Sequence, residues 1–274
     1  MTLQETLAAA VALGVERLDA QLLLLHVLGR GPGERAWLLA HDADPLAPPA
    51  RDAYLALARR RADGEPAAYL TGEKEFFGLS LAVDARVLVP RPDTETLVEW
   101  AIELLRDRPA PRVIDLGTGS GAIALALQAQ RPDAQVEAVD RSAEALEVAR
   151  ANGARLQLPV RFRRAHWLEG AGRYDLIASN PPYVAADDPH LPALRHEPVS
   201  ALAAGPDGLD DLRVIVAAAP AHLVPGGWLV LEHGWDQAEA VRRLLTDAGF
   251  VQVGSRPDLA GIPRCSGGRR LELG

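Results

Sequence analysis

A chain of 274 residues with 48% hydrophobic and 24% charged side chains has the balance of a globular protein of one large or two modest domains. Its one cysteine, Cys265, excludes an intrachain disulfide and a cysteine-built zinc site, and no apolar run reaches the ~18 residues of a membrane-spanning helix. The net charge of −8 argues against gripping a nucleic acid by phosphate neutralisation, and the opening Met1-Thr2-Leu3-Gln4-Glu5 lacks the basic start of a secretory signal, so a cytoplasmic location is expected.

The first 75 residues read as helical. Thr2 and Glu5 stand three apart ahead of an apolar run, the spacing of a capping box. Leu18, Leu22, Leu25 and Leu28 recur at helical spacing. The glycines of 29–33 break that helix and 36–39 form a short one. Pro45, Pro48 and Pro49 then mark a loop, and Tyr54, Leu55, Ala58 and Arg59 belong to a fourth helix. Residues 1–75 carry 8 basic and 11 acidic side chains, and Arg59-Arg60-Arg61 reads as a solvated helix end. Residues 75–83 read as two short strands around Gly78. Pro90 and Pro92 keep the next segment out of a helix, and Asp93 or Thr94 is placed to cap the helix carrying Leu97, Val98, Trp100, Ala101, Leu104 and Leu105.

From residue 111 strand and helix alternate. Strand signals fall at 113–116, 135–139, 160–162, 174–179, 227–232 and 250–253. Helical signals fall at 122–130, 143–152, 209–219 and 237–248. This alternation predicts an α/β, doubly wound parallel sheet with helices on both faces. The tail from Ser255 to Gly274, rich in glycine and arginine, reads as an irregular connection with a last edge strand.

Val113-Ile114-Asp115-Leu116-Gly117-Thr118-Gly119-Ser120-Gly121 is a buried strand running into a glycine loop and a helix. Such a loop lies at the carboxyl end of its strand, where doubly wound sheets bind ligands. Asp140 ends the next strand, 19 residues after Gly121, and a carboxylate there accepts from both hydroxyls of a ribose. Gly117, Gly119 and Ala122 also satisfy the dinucleotide pattern, so the loop alone does not choose the nucleotide. Asp115 shifts the choice. A carboxylate two residues before the first glycine repels a pyrophosphate but suits an ammonium group, which S-adenosylmethionine has and a dinucleotide lacks.

The strand Tyr174-Asp175-Leu176-Ile177-Ala178-Ser179 runs into Asn180-Pro181-Pro182-Tyr183. Two prolines remove two N–H donors, so the backbone offers acceptors only. The Asn180 amide oxygen and the Pro181 carbonyl together accept both hydrogens of a planar –NH₂, and Tyr183 offers an aromatic face. An amide or an aromatic amine has a delocalised lone pair. Holding both N–H groups aims its nitrogen at a sulfonium methyl. Catalytic roles are therefore expected of Asn180, Pro181 and Tyr183.

The chain resembles the release-factor glutamine N5-methyltransferases, the PrmC/HemK family, over nearly its whole length. The resemblance is carried by Tyr69-Leu70-Thr71-Gly72, Glu75-Phe76-Phe77-Gly78, Pro90-Arg91-Pro92-Asp93-Thr94-Glu95, the run from Asp115 to Ala124, Ala138-Val139-Asp140, Asn180-Pro181-Pro182-Tyr183, Glu197-Pro198 with Ala201-Leu202, Asp207-Gly208-Leu209 and Leu231-Glu232-His233-Gly234. N6-adenine methyltransferases of DNA or RNA share the Asn-Pro-Pro-Tyr element and remain the alternative enzyme; a noncatalytic adapter binding the cofactor or a release factor is the third reading. The resemblance implies a doubly wound seven-stranded S-adenosylmethionine-dependent methyltransferase fold. It divides the chain into a helical substrate-recognition domain (1–72), a β-hairpin linker (73–90) and a Rossmann-like domain (91–274). It implies methylation of the glutamine in the Gly-Gly-Gln loop of class 1 peptide chain release factors. Cofactor positions fall on Gly117, Thr118, Gly119, Ser120, Gly121, Asp140, Trp167 and Asn180, and substrate positions on Asn180, Pro181, Pro182 and Tyr183. Members usually carry an acidic residue just before the position of Trp167; here it is His166. A monomer without metal, membrane or stable nucleic-acid partner is expected. The seven histidines form no metal-ligand pair on a helix, and Glu232-His233 reads as a strand end more readily than as an acid–base pair. Arg195 and Glu197 read equally as part of the substrate mouth or as a solvated loop.

Overall fold

The structure is a computed structural model and describes residues 1–271. It divides into a unit from Met1 to Glu73 and a second beginning at Lys74. The first holds α1 (Leu3–Ala12), α2 (Arg17–Val27), α3 (Arg35–Ala40), α4 (Pro48–Ala62) and α5 (Ala67–Thr71). Thr2 and Glu5 form the capping box: the Glu5 N–H donates to Thr2 Oγ1 at 3.2 Å and the Thr2 N–H to Glu5 Oε2 at 2.9 Å. Leu23, Leu24, Leu25, Leu38, Tyr54 and Leu70 make its core, and the Tyr54 hydroxyl donates to the Ala20 carbonyl. Leu18, on the apolar pattern of α2, stays exposed. The fifth helix, only five residues long, lies below the length at which periodicity is readable.

Strands β1 (Glu73–Phe76) and β2 (Leu79–Ala82) form the hairpin. Its turn puts Phe77 at φ 50° and Gly78 at φ 78°, the two positive values of a tight hairpin turn. A 3-10 turn (Pro92–Thr94) leads into α6 (Glu95–Leu104). The expected cap is absent: Thr94 makes no side-chain bond to the helix, because its hydroxyl is engaged elsewhere.

The sheet is built from β3 (Arg112–Leu116), α7 (Ala122–Gln130), β4 (Gln135–Asp140), α8 (Ala143–Leu156), β5 (Arg161–Arg164), β6 (Tyr174–Ser179), α9 (Asp210–His222), β7 (Leu223–Glu232), α10 (Ala238–Asp247), β8 (Phe250–Pro257) and β9 (Pro263–Arg270). Strand order is β5-β4-β3-β6-β7-β9-β8. The first five are parallel, and the central β3, β6 and β7 are buried on both faces. Val113, Leu176 and Val230 join Leu97, Trp100 and Leu125 on one side, while Ile114, Ile177 and Leu229 join Ile215, Val216 and Val241 on the other.

The last strand corrects two expectations. β9 is no edge strand but lies between β7 and β8, and it runs antiparallel to both, so the sheet is mixed. The connection 258–262 is too short for a crossover helix and forces β9 to turn back on β8. The glycines that suggest irregular chain are what admit it: a Cβ on Gly267 would lie 2.7 Å from the Leu229 carbonyl and 3.0 Å from the Trp100 ring, and one on Gly268 2.8 Å from Phe250. Positions 272–274 of the tail and of the 91–274 region lie outside the described residues.

Candidate functional site

The carboxyl ends of β3, β4 and β6 meet where the strand order reverses. β3 continues to β4 on one side and pairs with β6 on the other. A cleft opens there that encloses about 940 Å³ counting its mouth. In doubly wound sheets this crevice is where ligands bind.

Its floor is the loop after β3. Gly117, Gly119 and Gly121 have φ of 69°, 55° and 87°, values that L side chains rarely adopt. The Gly117 and Thr118 N–H groups both donate to the Val139 carbonyl at 2.9 Å, which draws the loop against β4. A Cβ on Gly117 would stand 3.1 Å from the Trp167 indole, so the missing side chain is what lets the ring close one wall. Asp140 is held rigidly: Oδ2 accepts the Gly119 N–H at 3.0 Å and Oδ1 the Ser142 N–H at 2.9 Å. Each carboxylate oxygen keeps accepting capacity beyond that one bond. Behind the loop, Asn152 is fully buried; its amide nitrogen donates to the Ser120 and Ala82 carbonyls and its oxygen accepts the Ala82 N–H.

Of the residues singled out in the sequence, Gly117, Gly119, Asp140, Trp167, Asn180 and Pro182 line the cleft, and so does His166. Thr118, Ser120, Gly121, Pro181 and Tyr183 are not among the lining residues: the first three lie within the loop, and Pro181 and Tyr183 flank the lining Pro182. Asp115 does not reach it. Its side chain is fully buried; Oδ2 accepts from Thr118 Oγ1 at 2.6 Å and from the Ala124 N–H at 3.3 Å, while Oδ1 has no partner. Burial pushes this carboxyl up to about 7 against the pull of those two donors. Through Oδ2 the side chain braces the loop, while Oδ1 keeps its accepting capacity.

Asn180 is half-buried at the end of β6. Its Nδ2 donates to Thr94 Oγ1 at 3.2 Å. Among the described residues no donor reaches its Oδ1. The Tyr183 phenol donates to Glu232 Oε1 at 3.3 Å, and the Tyr183 carbonyl accepts from Gln237 Nε2 at 3.0 Å. Gly208, at φ 71°, packs on that same carbonyl, only 2.2 Å from where its Cβ would be. Gly208→Ala adds a strained backbone and a clash, together costing ~2–4 kcal/mol; a denaturant melt reads the loss, and an unchanged midpoint contradicts this packing.

Glu197 is almost fully buried, pairs with Arg91 and accepts the Val89 N–H at 3.0 Å. It ties the 88–92 segment to the 197–201 segment, and Leu88, Pro198 and Ala201 of these segments line the cleft. The solvated-loop reading of Glu197 fails for that reason. His233 is structural: Nδ1 bonds the Gly234 carbonyl at 2.9 Å and Nε2 bonds Ser266 Oγ at 2.8 Å, and burial lowers its pKa. Leu88 lines the cleft without any sequence signal for it, and Thr94, which reads locally as a helix start, meets Asn180.

Comparison with known proteins identifies the family. The PrmC N-terminal domain family matches residues 3–72, and the methyltransferase small domain family matches 94–197. A release factor glutamine methyltransferase of Bordetella pertussis is 54% identical over 260 residues, covering 93% of this chain and 95% of that one. The chain belongs to the release factor glutamine methyltransferase family. Another member, from Escherichia coli K12, is 42% identical over 97% of both chains. The methyltransferase also shares its fold with a methyltransferase of Pyrococcus furiosus (TM-score 0.54, 21% identity, 72% of this chain and 91% of that one). The catalytic domain of hMettl16 solved with an RNA hairpin is similar in fold as well (TM-score 0.58, 16% identity, 81% and 80% covered). The seven-stranded methyltransferase fold expected from the sequence is therefore present, and the protein is a methyltransferase.

Proposed function

We propose that this enzyme uses S-adenosylmethionine to methylate the side-chain amide nitrogen of the glutamine in the Gly-Gly-Gln loop of class 1 peptide chain release factors, working as a cytoplasmic monomer. The observation that carries the reading is the Asn180 amide, whose nitrogen is tied back to Thr94 while its oxygen stays unpaired at the cleft. The relatives' name supports the release factor as substrate.

The residues present fit the cofactor. Asp140 has accepting capacity for two ribose hydroxyls, and the cradle at Gly117 beside Trp167 would be filled by any Cβ. Bound there, S-adenosylmethionine supplies a methyl group activated by a sulfonium. The chain's part is positioning. Asn180 Oδ1 and the Pro181 carbonyl accept the two hydrogens of the glutamine amide, and Pro182 with Tyr183 fixes the turn that presents them. An amide held by both N–H groups spends its time with nitrogen aimed at the methyl, an orientation gain of several kcal/mol on the scale of ~7–11 for full pre-organisation. The burial of the Tyr183 phenol, with the Glu232 charge beside it, raises its pKa beyond any general-base role at neutral pH. The proton lost after transfer goes to water.

Incubation with methyl-labelled S-adenosylmethionine tests the reading: label appears in an intact release factor and not in an adenine-containing oligonucleotide. Label in the oligonucleotide alone would replace this function with N6-adenine methylation.

His166 tilts against Trp167 with ring centroids 5.5 Å apart. His166→Asp places an acceptor where the adenine amino group is expected. The gain of ~1 kcal/mol is partly offset by Asp211, whose carboxyl burial already holds up and whose charge His166 steadies. Affinity for S-adenosylhomocysteine rises about two- to threefold in calorimetry; loss of binding would show that His166 itself is needed.

A further inference from the structure

We propose that Gln237 is a positioning residue for methyl transfer, fastening the Asn180–Tyr183 turn from behind so that the acceptors of the turn keep their aim. The inference rests on the role given to that turn above. Pro181 and Pro182 bring no N–H, so the turn has little of its own to fasten itself with. Its upstream end is carried by β6, where Ser179 pairs with Leu116 and Leu231 of the neighbouring strands. Its downstream end runs into irregular chain, and a carbonyl there needs a donor from another segment.

Gln237 supplies that donor. It stands at the N-cap of α10, a position that favours Ser, Thr, Asp and Asn because a short side chain reaches back to the first turn. Gln237 makes no such bond. Its longer side chain crosses to the Tyr183 side instead. Nε2 donates to the Tyr183 carbonyl at 3.0 Å and to the Asp207 carbonyl at 3.3 Å, and Oε1 accepts the Gly234 N–H at 2.8 Å. Both hydrogens and the oxygen of the amide are engaged. Two of these partners can only accept and the third can only donate, so they admit one orientation of the amide. The catalytic turn, the segment before α9 and the turn after β7 all meet on this side chain.

The packing around it leaves no slack. A Cβ on Gly208 would stand 2.8 Å from Gln237 Nε2, and one on Gly234 3.1 Å from Gln237 Oε1. The segment before α9 is also bound to the chain that leaves the turn. The Val184 N–H donates to the Leu202 carbonyl at 2.9 Å, the Ala204 N–H to the Val184 carbonyl at 3.0 Å and the Ala186 N–H to the Gly205 carbonyl at 2.9 Å. Gln237 therefore closes a ring through 183–186 and 202–207. Inside that ring the Tyr183 carbonyl cannot turn without breaking a hydrogen bond. With the two prolyl φ angles fixed, the Pro181 carbonyl is held along with it. Gln237 is not among the residues lining the cofactor cleft, so it acts through the turn.

The test compares Gln237→Met and Gln237→Glu with wild type and with Asn180→Ala on an intact release factor. Methionine keeps the length of the side chain and loses all its bonds to the three segments, and kcat falls ~10-fold or more. Glutamate keeps length and shape and still accepts from Gly234, but it sets an acceptor against two carbonyls, and kcat falls at least as far. The KM for the release factor and the affinity for S-adenosylhomocysteine stay within about threefold in both, since neither touches the Asp140 side of the cleft. That split separates positioning from general loosening, which lowers cofactor affinity and kcat together, and retained S-adenosylhomocysteine binding shows that each variant is folded. Wild-type kcat in either Gln237 variant, or a loss of cofactor affinity as large as the loss of kcat, would overturn the positioning role. Wild-type kcat in Asn180→Ala would instead overturn the clamp on which it rests.

Discussion

Asn180→Ala lowers the rate of methyl transfer by ~100-fold or more, while S-adenosylhomocysteine binds within about threefold of wild type. Alanine removes Oδ1, the acceptor that has no protein donor, and leaves one N–H of the glutamine amide without a partner in a partly desolvated cleft. The nitrogen then loses its aim as well as a hydrogen bond. Asn180→Asp is impaired less, since it keeps an acceptor of the same shape. It surrenders the Nδ2 bond to Thr94 and sets a second carboxylate near the buried Glu232. Its charge also steadies a sulfonium before transfer, which slows the transfer itself. Single-turnover methylation of a release factor ranks wild type, aspartate and alanine in that order. Wild-type turnover by the alanine variant would mean that another residue orients the glutamine.

Asp140→Ala weakens S-adenosylhomocysteine binding by ~10- to 100-fold, or ~1.5–3 kcal/mol. The carboxylate is locked between the Gly119 and Ser142 N–H groups, so it meets a ligand without first losing side-chain freedom. The same two bonds mean that alanine also loosens the glycine loop. Asp140→Asn separates the effects: it keeps an acceptor for one of the N–H groups, loses the charge, and binds with intermediate affinity. Calorimetric titration of the three proteins reads the order, and unchanged affinity in the alanine variant would remove Asp140 from the site.

The sequence makes legible those features whose cause is local. The central strands β3, β6 and β7 carry strong apolar signals, because both faces of the parallel part of the sheet are covered. The glycine loop is visible because no other residue takes three positive φ values in five positions. The Asn180–Tyr183 element is visible because its prolines have a backbone consequence of their own. The tail reads as carrying a last edge strand, but the place of β9 inside the sheet is hidden, because the glycines that let it pack beneath Trp100 are the residues that weaken a strand signal. Thr94, Asn180 and Glu232 converge from the start of α6 and the ends of β6 and β7, and residues so far apart in the chain share no spacing that a reader can detect. The charge of Asp115 is legible in the sequence, but its depth is not: with no exposure at all, its Oδ2 is tied to Thr118 and to the start of the helix after the loop.

In the function proposed, Asn180 presents a single glutamine amide for methylation. Fragment mass spectra of a release factor, taken after incubation with S-adenosylmethionine and either wild-type or Asn180→Ala enzyme, test it most directly. The predicted result is the added mass of one methylene on the glutamine of the Gly-Gly-Gln loop with the wild type, and almost none with the variant. Modification at any other residue, or equal modification by both enzymes, would contradict it.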